Sequence, residues 1–66
     1  MLKRIREYML GEVEEHIDPR TGEVNCTGLA EATMWFGFPG WEEDGWDESD
    51  FFEVAFEVSQ EVEGNG

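Results

Sequence analysis

Residues 34–52 constrain the fold of this chain more than any other segment, because they combine aromatic side chains with residues that interrupt regular structure. The segment holds all three tryptophans, four of the five phenylalanines and six acidic residues. Gly37 and the pair Pro39-Gly40 break a helix or strand that would run through it. The regular elements before and after it must therefore be joined by a loop over residues 37–49.

Before this loop, apolar residues recur at helical spacing. A stripe of five predicts an amphipathic helix over residues 2–16: Leu2, Ile5, Met9, Val13 and Ile17. A shorter helix is predicted over residues 26–36, preceded by an N-cap signal at Asn25. Between the two helices, residues 18–22 have the composition of a tight turn, with proline early and glycine at the end.

After the loop, two periodicities compete in residues 49–62. Alternate residues are apolar, as in a strand: Phe52, Val54, Phe56 and Val58. A helical stripe fits as well: Phe51, Ala55, Val58 and Val62. The acidic and capping residues at 47–50 favour the helix. No second segment is long enough to pair with a strand, and an isolated strand is not stable.

The sequence thus predicts an all-α fold: one small domain of three helices over residues 2–16, 26–36 and 49–62, with a long acidic aromatic loop between the second and the third. Residues 1–66 form this single domain, and residues 64–66 are expected to fray. Five large side chains are predicted to lie in the core: Met34, Trp35, Phe51, Phe52 and Phe56. For Trp41 and Trp46, in the loop, exposure and burial both remain open.

The sequence predicts neither an enzyme nor a cofactor or metal site. At 66 residues the chain is too short for an enclosed pocket, and one histidine and one cysteine do not assemble a catalytic constellation. His16 near Glu12 is expected to be a surface residue, and Cys26 a small packed side chain. The acidic run at 42–50 does not fit an EF-hand loop, because the register set by Gly45 places Gly40 and Phe51 at ligand positions.

Charge is the strongest global signal. The net charge is −13, and residues 42–66 contain ten acidic residues and no basic one. Such a field repels nucleic acid and anionic lipid and attracts basic protein surfaces. An alternative is that the acidity is a solvation adaptation, as in salt-loving organisms. Because residues 1–17 show no secretory pattern and nothing approaches a membrane span, we expect a soluble cytoplasmic protein.

Residues 21–32 resemble the first helix of a helix-turn-helix unit, in which a capped Leu-Ala pair packs against the next helix. In such a unit a basic recognition helix follows, whereas this chain continues with an acidic loop and an acidic helix. The resemblance therefore implies a tri-helical shape but not sequence-specific DNA binding. In size, acidity and aromatic content the chain resembles small orphan proteins of phages and archaeal viruses, some of which are DNA mimics.

The predicted function is a non-enzymatic acidic module that binds a basic protein surface, such as that of a nucleic-acid-binding protein. One form of this function is an inhibitor that mimics nucleic acid. The predicted contact residues are two loop tryptophans and the carboxylates of the loop and third helix: Trp41, Glu42, Glu43, Asp44, Trp46, Asp47, Asp50, Glu53, Glu57 and Glu61. The alternative is a self-associating structural protein, whose apolar loop patch is covered in a homodimer.

Overall fold

A computed structural model describes residues 2–64 and shows a small all-α domain of three helices. The first helix continues as a short 3-10 turn, and the second widens into a π turn. In chain order the elements are α1 (Leu2–Glu12), the 3-10 turn (Val13–His16), α2 (Cys26–Ala32), the π turn (Thr33–Gly37) and α3 (Glu48–Gly64). The predicted fold class is confirmed.

The ends of these elements lie within two residues of the predicted ones. Gly64, expected to fray, is the last residue of α3, so this helix is longer at both ends than the predicted 49–62. The fraying predicted for residues 65 and 66 falls outside the described residues. None of the helices within residues 2–64 has both the length and the apolar character needed to cross a membrane.

Side-chain caps explain where α2 and α3 begin. The Asn25 side-chain oxygen accepts a hydrogen bond from the Gly28 backbone N–H at 3.1 Å. At the start of α3, the Asp50 carboxylate accepts one from the Asp47 backbone N–H at 3.0 Å, which is the reciprocal half of a capping box. Both caps satisfy backbone donors that have no partner within a helix.

The chain between the 3-10 turn and α2 reverses direction as predicted. The Gly22 N–H donates to the Asp18 carbonyl at 2.7 Å, and Gly22 has φ +77°, a conformation that glycine adopts without strain. On either side of this turn, Ile17 and Val24 form an isolated antiparallel bridge. The turn therefore returns the chain so that α2 can pack beside α1.

The core lies between the three helices, and α3 packs against both of the others. Its buried apolar residues come from every helix and from the loop: Ile5, Met9, Val13, Val24, Leu29, Ala30, Met34, Trp41, Phe51, Val54, Ala55 and Val58. Two hydroxyls are buried with them. Thr33 donates to the Leu29 carbonyl and Ser59 to the Phe56 carbonyl, both at 2.8 Å, so neither hydroxyl lacks a partner.

Aromatic rings form a continuous series through this core. Tyr8 of α1 packs edge-on against Phe38 with ring centroids 5.9 Å apart, and Phe38 lies 6.3 Å from Phe51. Phe51 contacts Trp41 at 5.8 Å, and Trp41 contacts Trp35 at 6.1 Å. Three of these four pairs have the edge-to-face geometry that aromatic quadrupoles favour, and the pair Phe38–Phe51 is tilted. The series connects α1, the π turn, the loop and α3.

Three of the five side chains predicted for the core are not buried. Trp35 and Phe56 are each 56% exposed, and Phe52 is half-buried, whereas Met34 and Phe51 are buried as predicted. Phe56 follows the buried Ala55 and is rotated from it by about 100° around the helix, so it points away from the core. A domain of this size has too few elements to cover a second face of each helix.

Trp35 directly follows the buried Met34 and points away from the core for the same reason, within a π turn that ends the second helix. The Phe38 backbone N–H donates to the Thr33 carbonyl at 2.9 Å, five residues back, so each turn holds more residues than in an α-helix. Gly37 is thereby brought against the Tyr8 ring. Trp35 and Phe36, which precede Gly37, lie on the outer side of the widened turn.

Candidate protein-interaction surface

Acidic side chains cover the surface from the loop to the end of α3. Ten carboxylates lie between residues 42 and 63; nine are exposed, and only Asp50 is half-buried. They are Glu42, Glu43, Asp44, Asp47, Glu48, Asp50, Glu53, Glu57, Glu61 and Glu63. The predicted contact carboxylates are thus accessible, although they are not equivalent in their surroundings.

The loop carboxylates, defined here as Glu42, Glu43, Asp44 and Asp47, lie on a folded segment. The Asp44 N–H donates to the Gly40 carbonyl at 3.1 Å, and the Trp46 N–H donates to the Trp41 carbonyl at 3.0 Å. Gly45, with φ +87°, allows the chain to turn back toward α3. The loop carboxylates therefore lie on consecutive hydrogen-bonded turns that lead directly into the first turn of α3.

The carboxylates on α3 face a different environment, since basic residues of α1 lie beside them. A cleft of about 230 Å³ between the two helices is lined by Glu53 and Glu57 of α3 and by Lys3 and Arg6 of α1, among others. Arg6 also forms an ion pair with Glu61. The predicted row of carboxylates along α3 is therefore partly neutralised on its α1 side.

Three predicted or neighbouring carboxylates also have structural roles. Asp50 caps α3 through the Asp47 N–H, Glu61 pairs with Arg6, and Glu63 accepts a hydrogen bond from the Val24 N–H at 3.1 Å. Among residues 2–64, the ion pair of Glu61 is the only one. The loop carboxylates form no ion pair within that part of the chain, and they form the least compensated part of the acidic surface.

The two loop tryptophans, which were predicted as contact residues, are less accessible than that role requires. Trp41 is only 6% exposed and packs against Phe51 and Trp35, so it belongs to the core and is not available as a contact residue. Trp46 is half-buried and packs on the same core. The cause is that a short domain fills its interior with the largest side chains it has, and the turns of the loop fold Trp41 inward.

The exposed aromatic residues lie elsewhere, on the π turn and α3. Phe36 is 81% exposed, and Trp35 and Phe56 are each 56% exposed. Sequence reasoning assigned Trp35 and Phe56 to the core and gave Phe36 no role in binding. Helical periodicity could have identified Trp35 and Phe56, because each directly follows a residue of the buried face, Met34 or Ala55, and is rotated from it by about 100°.

The residues considered for metal binding or nucleophilic chemistry do not form a constellation. Within residues 2–64 no three His, Cys, Asp or Glu side chains are grouped as metal ligands would be. His16 lines an open groove beside the turn, together with Asp18 and Glu23. Cys26 is half-buried, and its sulfur lies 3.9 Å from the Val24 carbonyl oxygen. His16 therefore borders the turn at residues 18–22, and Cys26 is a small side chain packed at the start of α2.

Comparison with protein-family models, with curated proteins and with solved structures found no match to this chain.

Proposed function

We propose that this protein is a non-enzymatic acidic module that binds a basic protein surface, with the loop carboxylates at the centre of the contact. The observation that carries the proposal is the uneven compensation of charge. The loop carboxylates are exposed and form no ion pair within residues 2–64, and no Lys or Arg follows Arg20 in the sequence. A basic partner would supply the missing counter-charge.

Nucleic-acid-binding proteins are the class of partner that this field favours. They carry clustered Lys and Arg for contacts to phosphate, and an acidic protein can occupy the same groove. Along α3, Asp50, Glu53 and Glu57 recur about once per turn, roughly 5 to 6 Å apart, in the manner of charges along one nucleic-acid strand. These helix carboxylates extend the surface, and the loop carboxylates supply its uncompensated part.

A capture experiment at two salt concentrations tests the proposal. The immobilised protein is incubated with lysate of the organism that encodes it, at roughly 0.05 M and 0.5 M salt, because exposed charges are screened over about 10 Å at 0.1 M. A loop variant removes three loop charges: Glu42→Gln, Glu43→Gln and Asp44→Asn. We expect nucleic-acid-binding proteins to be captured at low salt, released at high salt or by added DNA, and lost in the loop variant.

A matched variant separates a specific surface from net charge. It neutralises the same number of exposed carboxylates on α1 and the 3-10 turn: Glu7→Gln, Glu14→Gln and Glu15→Gln. Both variants have the same net charge, so they respond alike to non-specific attraction. Capture that survives in the matched variant and disappears in the loop variant supports the proposal. Equal loss in both variants, or capture insensitive to salt, contradicts it.

Self-association is a second candidate, favoured by the large exposed rings of Phe36, Trp35 and Phe56. In this alternative the acidity is an adaptation to solvent, and a homodimer covers the apolar surface. The net charge of −13 on each copy opposes it at low salt. Light scattering at several protein and salt concentrations distinguishes the two: a monomer throughout contradicts self-association, and a dimer that forms as salt rises supports it.

A further inference from the structure

The outer side of the π turn presents two adjacent aromatic side chains to solvent. Phe36 is 81% exposed and Trp35 is 56% exposed. Leaving apolar area in water forgoes roughly 25 cal/mol per Å², and adjacent exposed apolar side chains are typical of interaction sites. The pair Trp35-Phe36 is therefore a stronger candidate for an apolar contact than the loop tryptophans.

The backbone and core hold this pair in place before any partner binds. The Phe38 N–H closes the π turn on the Thr33 carbonyl at 2.9 Å, and Gly37 packs directly on the Tyr8 ring. Trp35 lies edge-on against the buried Trp41, with ring centroids 6.1 Å apart. Because the Trp35 ring and the backbone of the turn are already fixed, a partner loses little conformational entropy by ordering them.

The charge around this pair identifies the chemistry of its occupant. Glu31 is exposed one turn before Trp35, and Glu42 and Glu43 directly follow Trp41, the residue that supports Trp35. A second copy of the chain would bring a further charge of −13 to the contact. Nucleic acid that stacks on aromatic rings needs a basic groove, and residues 31–48 contain no Lys or Arg.

We infer that Trp35 and Phe36 anchor a basic amphipathic segment of the partner protein, whose apolar side chains pack on the two rings while its Lys and Arg residues face the loop carboxylates. This inference rests on the proposed function and assigns an apolar anchor to it. The combination is chemically selective: a segment that is basic but not apolar gains only the screened attraction, and one that is apolar but not basic gains only ring contact.

Two synthetic peptides test the inference directly. Each has about 15 residues, long enough for a helix to form on binding. The first places Leu on one face of a helix and Lys on the other, with apolar residues at i, i+3, i+4 and i+7. The second has the same lysines, with every Leu replaced by Gln. Affinity is measured by fluorescence anisotropy at low and high salt. We expect the Leu peptide to bind roughly tenfold or more tightly than the Gln peptide, as aromatic anchors typically contribute, and to shift tryptophan emission to the blue.

Substitutions then assign the preference to the π turn. Phe36→Ala should remove the preference for the Leu peptide, and Phe36→Leu should retain much of it. Phe36 is 81% exposed, so the urea unfolding midpoint should not change and serves as the check on folding. Leu2→Ala is the matched control, because Leu2 is also exposed, at 53%, but lies in the cleft between α1 and α3; it should leave the preference intact.

Each outcome decides the matter. If both peptides bind equally, or if Phe36→Ala keeps the preference, or if Leu2→Ala loses it, the anchor is not at the π turn, although the charge-based function survives. If neither peptide binds at low salt, the proposed function fails and the inference fails with it. If light scattering shows a dimer that Phe36→Ala dissociates, a second copy covers the pair, which also overturns the inference.

Discussion

Replacing Gly37 by alanine tests whether the contact with Tyr8 sets the geometry of the π turn. An ideal Cβ at Gly37 would lie 2.8 Å from Cζ, 2.9 Å from Cε1 and 3.0 Å from Cε2 of the Tyr8 ring, well inside ordinary van der Waals separations. The ring is backed by Phe38 at a centroid distance of 5.9 Å, which restricts its retreat. The added methyl group must therefore move either the ring or the backbone.

The expected magnitude follows from two opposing effects. Overpacking of this kind typically costs about 1–3 kcal/mol, and alanine offsets roughly 0.5–1 kcal/mol of it by restricting the unfolded chain. We expect Gly37→Ala to lower the free energy of unfolding by about 1–2 kcal/mol, or Tm by roughly 4–16 °C for a chain of this length. Apart from its own helix backbone, no atom of residues 2–64 lies within 4 Å of the Cβ position at Gly11, so Gly11→Ala should stabilise α1 by about 0.5–1 kcal/mol.

Urea unfolding followed by circular dichroism measures both changes, and a double-mutant cycle isolates the contact. In a Tyr8→Ala background the ring is absent, so Gly37→Ala should become neutral or stabilising there. If Gly37→Ala is as costly without the Tyr8 ring as with it, or if it stabilises the wild-type chain as Gly11→Ala does, then the close approach does not determine the geometry of the π turn.

Three further outcomes are expected. The Trp41 indole N–H is buried and has no hydrogen-bond partner among residues 2–64. Trp41→Phe should therefore change the free energy of unfolding by no more than about 1 kcal/mol, because removal of the unpaired donor partly offsets the lost packing. Trp41→Ala should cost about 3–5 kcal/mol, and equal losses would contradict this. Thr33 is fully buried, and the Leu29 carbonyl accepts both its hydroxyl and its backbone N–H. Thr33→Val should therefore change the free energy of unfolding by less than about 1 kcal/mol, while Thr33→Ser should lower it by roughly 1 kcal/mol through loss of the methyl group. A larger loss for valine than for serine would show that the hydroxyl is essential. With a net charge of −13, the urea midpoint should rise with KCl as repulsion is screened, and an unchanged or falling midpoint would show that self-repulsion does not limit stability.

The helices could be predicted from the sequence because their signals are local. The spacing of apolar residues identified α1, the cap at Asn25 located the start of α2, and the acidic cluster around Asp47 and Asp50 located the start of α3. Each signal acts within one or two turns of chain, where hydrogen bonding and side-chain spacing do not depend on distant residues. The turn that ends at Gly22 is of the same kind.

The environment of the aromatic residues could not be predicted in this way. The sequence does not decide whether Trp41 lies in the core or on the surface, and its burial follows from a ring contact with Phe51 of α3. Phe56 was assigned to the core, although it lies beside the helical stripe that contains Ala55, and it is exposed. In both cases the residue type favours burial equally, and the number of neighbouring elements decides which ring is covered.

The sequence by itself determined the three helices and the acidic surface of residues 42–63, because helix periodicity and charge are properties of the chain before it folds. Only the tertiary structure decided which carboxylates are compensated, since Lys3 and Arg6 reach α3 only when α1 packs beside it. It also decided that Trp35 and Phe36, rather than Trp41, face solvent. The burial of Trp41 depends on its ring contact with Phe51 of α3, which exists only in the folded chain and which local patterns do not encode.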